Sequence, residues 1–370
     1  MSAFRVLHIA GGMNRAGVET MIMNLYRCMD RSRLLFDFLY FSNDQFDYDE
    51  EIRQLGGRIH RLREPKNLLD RLKLSKSFLT SHHQYSAIHV HDLYHSGLYL
   101  LAAWMSGTKI RVMHAHVTRP NLRLSPLARL YQGLTIGLAR RLATGRIACG
   151  RAAGQFLYGN STPFTVMKNG IALQEFEPPP LHRKSEIRKS IGVSDTATLL
   201  CQVGRLEQQK NPLYSLEVLH SLRLQGKEVM LIYAGEGRLR PAIIERAREL
   251  GLTGHVRLLG SRQDTPDLMF ASDHLLLPSY YEGFPLVIVE SQAMGLSSIV
   301  SDRVSPEIDL NLGLVRFIGL ESPARWASTI LENSATRKVG TTARHQILRE
   351  AGYDAGQNLG QLYGLYRVNP

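Results

Sequence analysis

Glu282 and Glu290 lie eight residues apart in the run Tyr280-Tyr281-Glu282-Gly283-Phe284-Pro285-Leu286-Val287-Ile288-Val289-Glu290-Ser291, separated by a Gly-Phe-Pro turn and an apolar stretch. The preceding His274-Leu275-Leu276-Leu277-Pro278 reads as a short buried strand. Pro285 suits the start of a helix, since its fixed φ matches the first turn and its missing N–H is not needed there. Glu282 then sits on the loop at the strand's carboxyl end, and Glu290 nearly two turns into the helix. Ligands of open α/β sheets bind at that edge, where loops and helix N-termini converge. N–H groups over residues 285–288, together with the helix dipole, favour an anion. A carboxylate on either side of an anion site suits a ligand with hydroxyls at both ends and phosphate in the middle, the layout of a sugar nucleotide. In isolation the pair would better describe a strand–helix unit with two solvated acids, so the other segments must discriminate.

Two of them carry matching chemistry. Phe4–Ala10 reads as a buried strand, followed by Gly11-Gly12-Met13-Asn14-Arg15-Ala16-Gly17 and a helix over 18–29. Gly12 and Gly17 would let backbone approach a phosphate, although the spacing is not the G-x-G-x-x-G dinucleotide fingerprint. Thr198–Val203 is another strand, followed by Gly204-Arg205-Leu206-Glu207-Gln208-Gln209-Lys210-Asn211-Pro212. Arg205 and Lys210 flank that loop and would clamp a diphosphate from one side. Further strands are expected at 228–234, ending in Gly235-Glu236-Gly237, and at 256–262, ending in Gly260-Ser261-Arg262.

Histidines mark two more strand ends. Period-two spacing puts His89 and His91 on one face of the strand 87–91, with Asp92 and His95 just beyond. The strand 111–116 ends in His114 and His116. Such runs could ligate a metal, but neither a carboxylate nor a cysteine adjoins the second, so no metal is expected and the histidines read as pocket residues. Asp47-Tyr48-Asp49 lies in a polar run, Asn43 to Glu51, and reads as a solvated loop.

These segments need two α/β domains to hold them, and 370 residues supply that length. Apolar content of 44% and charged content of 21% describe a globular protein. Cys28, Cys149 and Cys201 are odd in number and far apart, fitting neither a disulfide framework nor a zinc site. A reducing cytoplasm is the expected compartment. No apolar run reaches the length needed to span a bilayer. The net charge of +12 is uneven: residues 1–180 hold 23 Lys and Arg against 13 Asp and Glu, and the remainder 22 against 20. No acid occurs between Asp92 and Glu175. An anionic partner follows, and a membrane surface is preferred to nucleic acid because aromatics do not interleave with the basic residues. Leu122–Ala143 reads as a long helix, apolar on one side and basic on the other, with Arg123, Arg129, Arg140 and Arg141 as candidate lipid contacts. The proline-rich stretch 175–181 is the expected linker, and 354–366 a final amphipathic helix.

Glu282 to Glu290 resembles the E-x7-E motif of retaining glycosyltransferases with the GT-B fold, and EGFPLVIVES followed by QAMG is similar to family 4. The resemblance extends through the glycine loop, His114, Asn169-Gly170 (with Lys168 where the family has proline) and Arg205/Lys210, in the family's order. It implies two Rossmann-like domains facing a central cleft, over 1–175 with the terminal helix 353–370 packed back, and over 182–350. It implies a nucleotide diphosphate sugar donor, a UDP-sugar expected, with no cofactor and no metal. Arg205 and Lys210 would neutralise the donor phosphates, Glu282 would bind sugar hydroxyls, and Glu290 would hold the ribose. Gly12, Gly17, Arg262, Gly283, Phe284, Pro285 and Leu286 would line the donor. His114 would contact the donor sugar, leaving His91 and His116 on the acceptor side. The wording resembles exopolysaccharide and capsule enzymes, whose acceptor is a glycan or a polyprenyl-diphosphate-linked sugar at the inner membrane face. A GT-B phosphorylase or epimerase, or a non-catalytic sugar-nucleotide-binding subunit, are the rival readings.

Overall fold

A computed structural model describes residues 3–117, 125–332 and 339–368. The chain divides into two compact units, one of residues 1–172 with 354–370, the other of 173–353. The division falls ahead of the stretch expected as linker, whose start lies in a short 3-10 turn, Leu173–Phe176, of the second unit.

The first unit is built on seven strands: β1 (Phe4–Ile9), β2 (Leu34–Tyr40), β3 (Ile59–Arg61), β4 (Ala87–Val90), β5 (Ile110–Ala115), β6 (Gly145–Ala148) and β7 (Thr165–Val166). All pair in parallel, in the order β3-β2-β1-β4-β5-β6-β7. A parallel sheet must be covered on both faces, because each crossover lays a helix on one of them. On one face Leu7, Ile9, Ile88, Val90, Met113 and Ala115 pack against Tyr99, Leu100 and Ala103 of the helix Ser96–Met105. On the other, Phe36 stacks on Tyr26 of the helix Gly17–Cys28, with ring centroids 5.2 Å apart.

The terminal helix Ala355–Tyr366 belongs to this unit and packs beside Gly17–Cys28. Backbone ties it down, with Ala355 N–H donating to Ile171 at 2.9 Å. The Asn358 amide donates to the Lys168 carbonyl and the Asn24 amide to that of Gly170, each at 3.0 Å. A side chain at Gly170 would meet the Ala355 nitrogen at 2.7 Å, so the Asn-Gly turn is small because the returning helix lies on it.

The second unit holds β8 (Thr198–Val203), β9 (Val229–Ala234), β10 (Val256–Leu258), β11 (His274–Leu277), β12 (Ser297–Ser301) and β13 (Val315–Ile318), also all parallel, in the order β10-β9-β8-β11-β12-β13. Leu200, Leu231, Leu276 and Ile299 from four of these strands meet Leu216, Leu219 and Trp326 in its core.

Two expectations are corrected. Asp47-Tyr48-Asp49 is not uniformly solvated: Asp49 is fully buried, ion-paired with Arg61 and accepting the Phe46 N–H at 3.0 Å. The basic helix runs Pro126–Leu142, with residues 122–124 outside the described ones, and its faces are not as expected. Gln132, Thr135 and Ala139 point inward, because a Cβ at Gly97 would meet the Thr135 carbonyl at 2.4 Å and only small residues permit that approach. Leu127, Leu130 and Leu134 are left exposed.

Gly235 has φ +156°, and a Cβ there would lie 2.0 Å from the Gly204 carbonyl oxygen. Gly235→Ala should therefore cost at least ~2 kcal/mol of strain and lower the unfolding midpoint by about 4–8 °C, measured by calorimetry.

Candidate active site

In the second unit β8 and β11 are neighbours, but the chain leaves them toward opposite edges of the sheet. That reversal of winding is the place in an open α/β sheet beside which ligands bind, at the carboxyl ends of the strands. Arg205 and Lys210 lie on the loop after β8, and Glu282 on the loop after β11. Backbone and side chain stitch the two loops together: Tyr280 N–H donates to the Gln209 carbonyl at 2.9 Å, and the Gln209 amide to that of Tyr281 at 3.0 Å.

At the centre the Lys210 ammonium contacts Glu282 Oε1 at 2.7 Å, and the Ser279 hydroxyl donates to the same oxygen at 2.6 Å. The side chains are only 16% and 7% exposed, so this is an ion pair held in a largely dry setting. Behind it the Gln202 amide donates to the Lys210 carbonyl, and Ser215 donates to Gln202 Oε1. Arg205, by contrast, is exposed. The set amounts to one exposed cation beside one positioned cation–carboxylate pair.

The helix after this loop spans Leu286–Met294, with Pro285 at its N-cap (φ −79°, ψ 94°). Glu290 therefore lies little more than one turn in, not nearly two, and is half-buried. Pro285 has no N–H and that of Ile288 bonds the Pro285 carbonyl at 3.0 Å, so Leu286 and Val287 supply the anion-facing donors. Phe284 stacks on Tyr353 at 5.4 Å, fixing the turn that carries Gly283. Arg262 is paired with Asp264 at 2.5 Å, which holds that carboxyl below its usual range.

In the first unit the order reverses between β1 and β4, which places the glycine loop and His91 at the corresponding edge. Gly12 is needed by packing within the unit, since a Cβ would meet the Phe46 ring at 2.5 Å. Gly17 opens the helix Gly17–Cys28 with free space around it.

The histidines come together with a member that sequence reasoning missed. His8 pairs with His89 across β1–β4, and β4–β5 register carries His91 beside His114, so all face one side of the sheet. His8 Nδ1 lies 3.0 Å from His91 Nε2, and His91 Nδ1 lies 3.0 Å from His116 Nε2. Centroid separations of 5.2 and 5.3 Å with small interplanar angles make these three rings an edge-to-edge ribbon. His89 and His114 lie face-on against it, 4.3 Å from His91 and 4.1 Å from His116. The Tyr366 hydroxyl meets His89 Nδ1 at 2.5 Å. The missed signal was parity: His8 occupies the same strand face as His89 once β1 is paired with β4.

His114 is only 1% exposed. Burial drives all five rings toward the neutral form, with His8 and His116 lowered to about 3 and the others well below the ordinary value. Any ligand contact from His114 is thus a neutral hydrogen bond, not a charge.

Two doubly wound parallel sheets, with charged residues at the switch point of the second, define the α/β architecture. Solved structures share the architecture: HepE of Anabaena in complex with UDP-glucose superposes with a TM-score of 0.78 at 18% identity, covering 97% of this chain and 98% of that one. Residues 16–169 match the family described as "Glycosyl transferase 4-like domain" and 183–311 that described as "Glycosyl transferases group 1". The glycosyltransferase EpsF of Bacillus subtilis is 36% identical over 99% of this chain and 97% of its own. A UDP-Gal:alpha-D-GlcNAc-diphosphoundecaprenol alpha-1,3-galactosyltransferase of Escherichia coli is 27% identical over 72% of this chain and 74% of its own. The chain belongs to the family 4 glycosyltransferases and has the GT-B fold.

The neutral histidines couple folding to pH. The unfolded chain protonates each near 6.5 and the folded one far lower, so their stabilisation is complete above 6.5 and lost as pH falls toward 3. Each ring contributes up to about 1.4 kcal/mol per pH unit in that window. The urea midpoint of chelator-treated protein should fall clearly between about pH 7 and about pH 5.5. An unchanged midpoint would contradict the buried, neutral stack.

Proposed function

We propose that the protein is a retaining glycosyltransferase that moves a sugar from a UDP-sugar to a glycan or polyprenyl-diphosphate-linked acceptor in cell-surface polysaccharide synthesis. The observation that carries this reading is the Lys210–Glu282 pair at the β8/β11 switch point, with Arg205 on the adjoining loop. Charge builds on the leaving diphosphate as the glycosidic bond breaks. Arg205, Lys210 and the Leu286 and Val287 N–H groups would offset that charge without a metal ion. A diphosphate drawing Lys210 toward itself leaves the Glu282 carboxylate available to sugar hydroxyls, so donor binding and sugar orientation are one event. Glu290 would hold the ribose hydroxyls, and His114 would place the sugar as a neutral partner. His91 and His116 serve the acceptor side in this reading. The name of the Escherichia coli relative supports the donor and acceptor classes, and the UDP-glucose complex of HepE supports the donor.

Purified protein should be offered a panel of UDP-sugars with a polyprenyl-diphosphate-linked acceptor, and the product's anomeric configuration read by NMR. Retention and full activity in EDTA are expected. Inversion, or an EDTA-dead enzyme restored by Mg2+ or Mn2+, overturns the mechanism. Free sugar phosphate as product would identify a phosphorylase, and tight donor binding without turnover a non-catalytic subunit. Glu290→Ala should weaken UDP at least about tenfold in calorimetry, the value of one charged hydrogen bond.

The same reading places the enzyme on the cytoplasmic face of the membrane as a peripheral protein. No helix among the described residues is long and apolar enough to cross a bilayer. On Pro126–Leu142, Leu127, Leu130 and Leu134 are 76%, 61% and 66% exposed along one stripe. Arg141 is exposed near its end, whereas Arg140 is spent on the Leu157 and Phe156 carbonyls. Burying a leucine is worth about 1.5–3 kcal/mol, against about 1 kcal/mol for an arginine near anionic lipid, so the leucines dominate. Changing all three leucines to serine should release the protein from anionic vesicles in sedimentation and leave UDP binding intact. Undiminished pelleting would exclude this helix as the docking face.

A further inference from the structure

Away from the Lys210–Glu282 pair, the histidine stack on β1, β4 and β5 gathers the metal-ligating side chains found together among the described residues. Its hydrogen bonding is incomplete in a way that packing alone does not explain. His8 Nε2, His89 Nε2, both ring nitrogens of His114 and His116 Nδ1 are buried with no partner among the described residues. Each such atom costs about 1–3 kcal/mol when left unpaired. Aliphatic side chains of similar size would fill the same space without that cost, so the imidazoles are poorly accounted for as core filling.

We propose that the stack is a binding site for one borderline transition-metal ion, of the Zn2+, Co2+ or Ni2+ kind, with His91 as the ligand common to two overlapping sets. The inner set is His8, His89 and His91, and the outer is His91, His114 and His116, each with ligand atoms within 4.8 Å of one another. Nitrogens of a tetrahedral site stand roughly 3.3 Å apart when metal–nitrogen bonds are about 2.05 Å long. The ribbon already holds His8 and His91, and His91 and His116, at 3.0 Å. An ion would thus replace the proton shared by such a pair after modest ring rotation and take as third ligand the unpartnered His89 Nε2 or a His114 nitrogen, the orphaned atoms it accounts for. A fourth position remains for hydroxide or another anion.

Three further features fit. All five rings are held neutral, the form that coordinates. The Tyr366 hydroxyl occupies His89 Nδ1 and leaves Nε2 as the ligand atom, an outer-shell bond of the kind that orients metal-bound imidazole. His91 and His116 are half-buried at the carboxyl edge and supply an entry path. The sequence alone argued against a metal because neither a carboxylate nor a cysteine adjoins the second His-x-His run, His114-Ala115-His116. His8, added by the fold, completes an all-nitrogen set, which suits these ions and disfavours Mg2+ and Mn2+. An ion in the outer set would occupy the His114 and His116 that the proposed reaction gives to the sugar and the acceptor, whereas the inner set leaves both free; a phosphate-bound Mg2+ would be a different ion at a different place.

Chelator-treated full-length protein should be titrated with Zn2+ by calorimetry and with Co2+ by visible absorption. One ion per chain, the d–d spectrum of low-coordinate imidazole-bound Co2+, and a raised unfolding temperature are expected. His91→Asn should weaken binding at least about 100-fold, while the exposed His83→Asn should not change it. Loss in His8→Gln assigns the inner set, and loss in His114→Gln the outer. No Zn2+ uptake and no Co2+ spectrum with the wild type overturns the site, whatever the variants do. So does binding that survives His91→Asn in a folded protein. Either result leaves the rings as a hydrogen-bonded stack only.

Discussion

Parallel pairing is the constraint from which the rest of this structure follows. Parallel strands cannot be joined by a tight turn, so every connection crosses a face of the sheet and buries it. Where the winding reverses, between β1 and β4 and between β8 and β11, two successive loops turn away from each other. Those are the places where a loop residue is not covered by the next crossover. The glycine loop and His91 occupy one of them, and Arg205, Lys210 and Glu282 the other. The chemistry sits where the winding leaves room for it.

Burial then sorts the titratable groups into two kinds. Lys210 and Glu282 are nearly dry yet charged, because each is the other's counterion and Ser279 adds a hydrogen bond. Such a pair is costly to break by deleting one partner, because the other charge is left buried and uncompensated. At His89, His91 and His114 no carboxylate among the described residues offsets burial, so desolvation wins and they stay neutral. One cluster offers fixed charge and the other lone pairs, although both lie at the carboxyl edge of a parallel sheet.

The terminal helix shows how far-separated sequence completes a unit. Ala355–Tyr366 is fastened through Ile171 and Lys168 at its start and delivers the Tyr366 hydroxyl to His89 at its end. Tyr366 thereby sets which nitrogen of His89, 277 residues earlier, is left without a partner among the described residues.

Much of this was legible in the residues themselves. The alternation of apolar runs with glycine-rich turns specifies βα units, because side-chain period and turn chemistry are local properties. The strand before Glu282, the helix after Pro285 and the cations after β8 follow from spacing alone. What spacing could not decide was pairing. Lys210 meets Glu282 because β8 and β11 are neighbours, and their sequence separation carries no sign of it. Likewise His8 joins the His-x-His runs only through strand register, and Asp49 is buried only because Arg61 on β3 reaches it. The leucines of Pro126–Leu142 face outward because Gly97 admits only small residues beneath the helix. Periodicity says that a helix has two faces; the partner's surface decides which of them is inside.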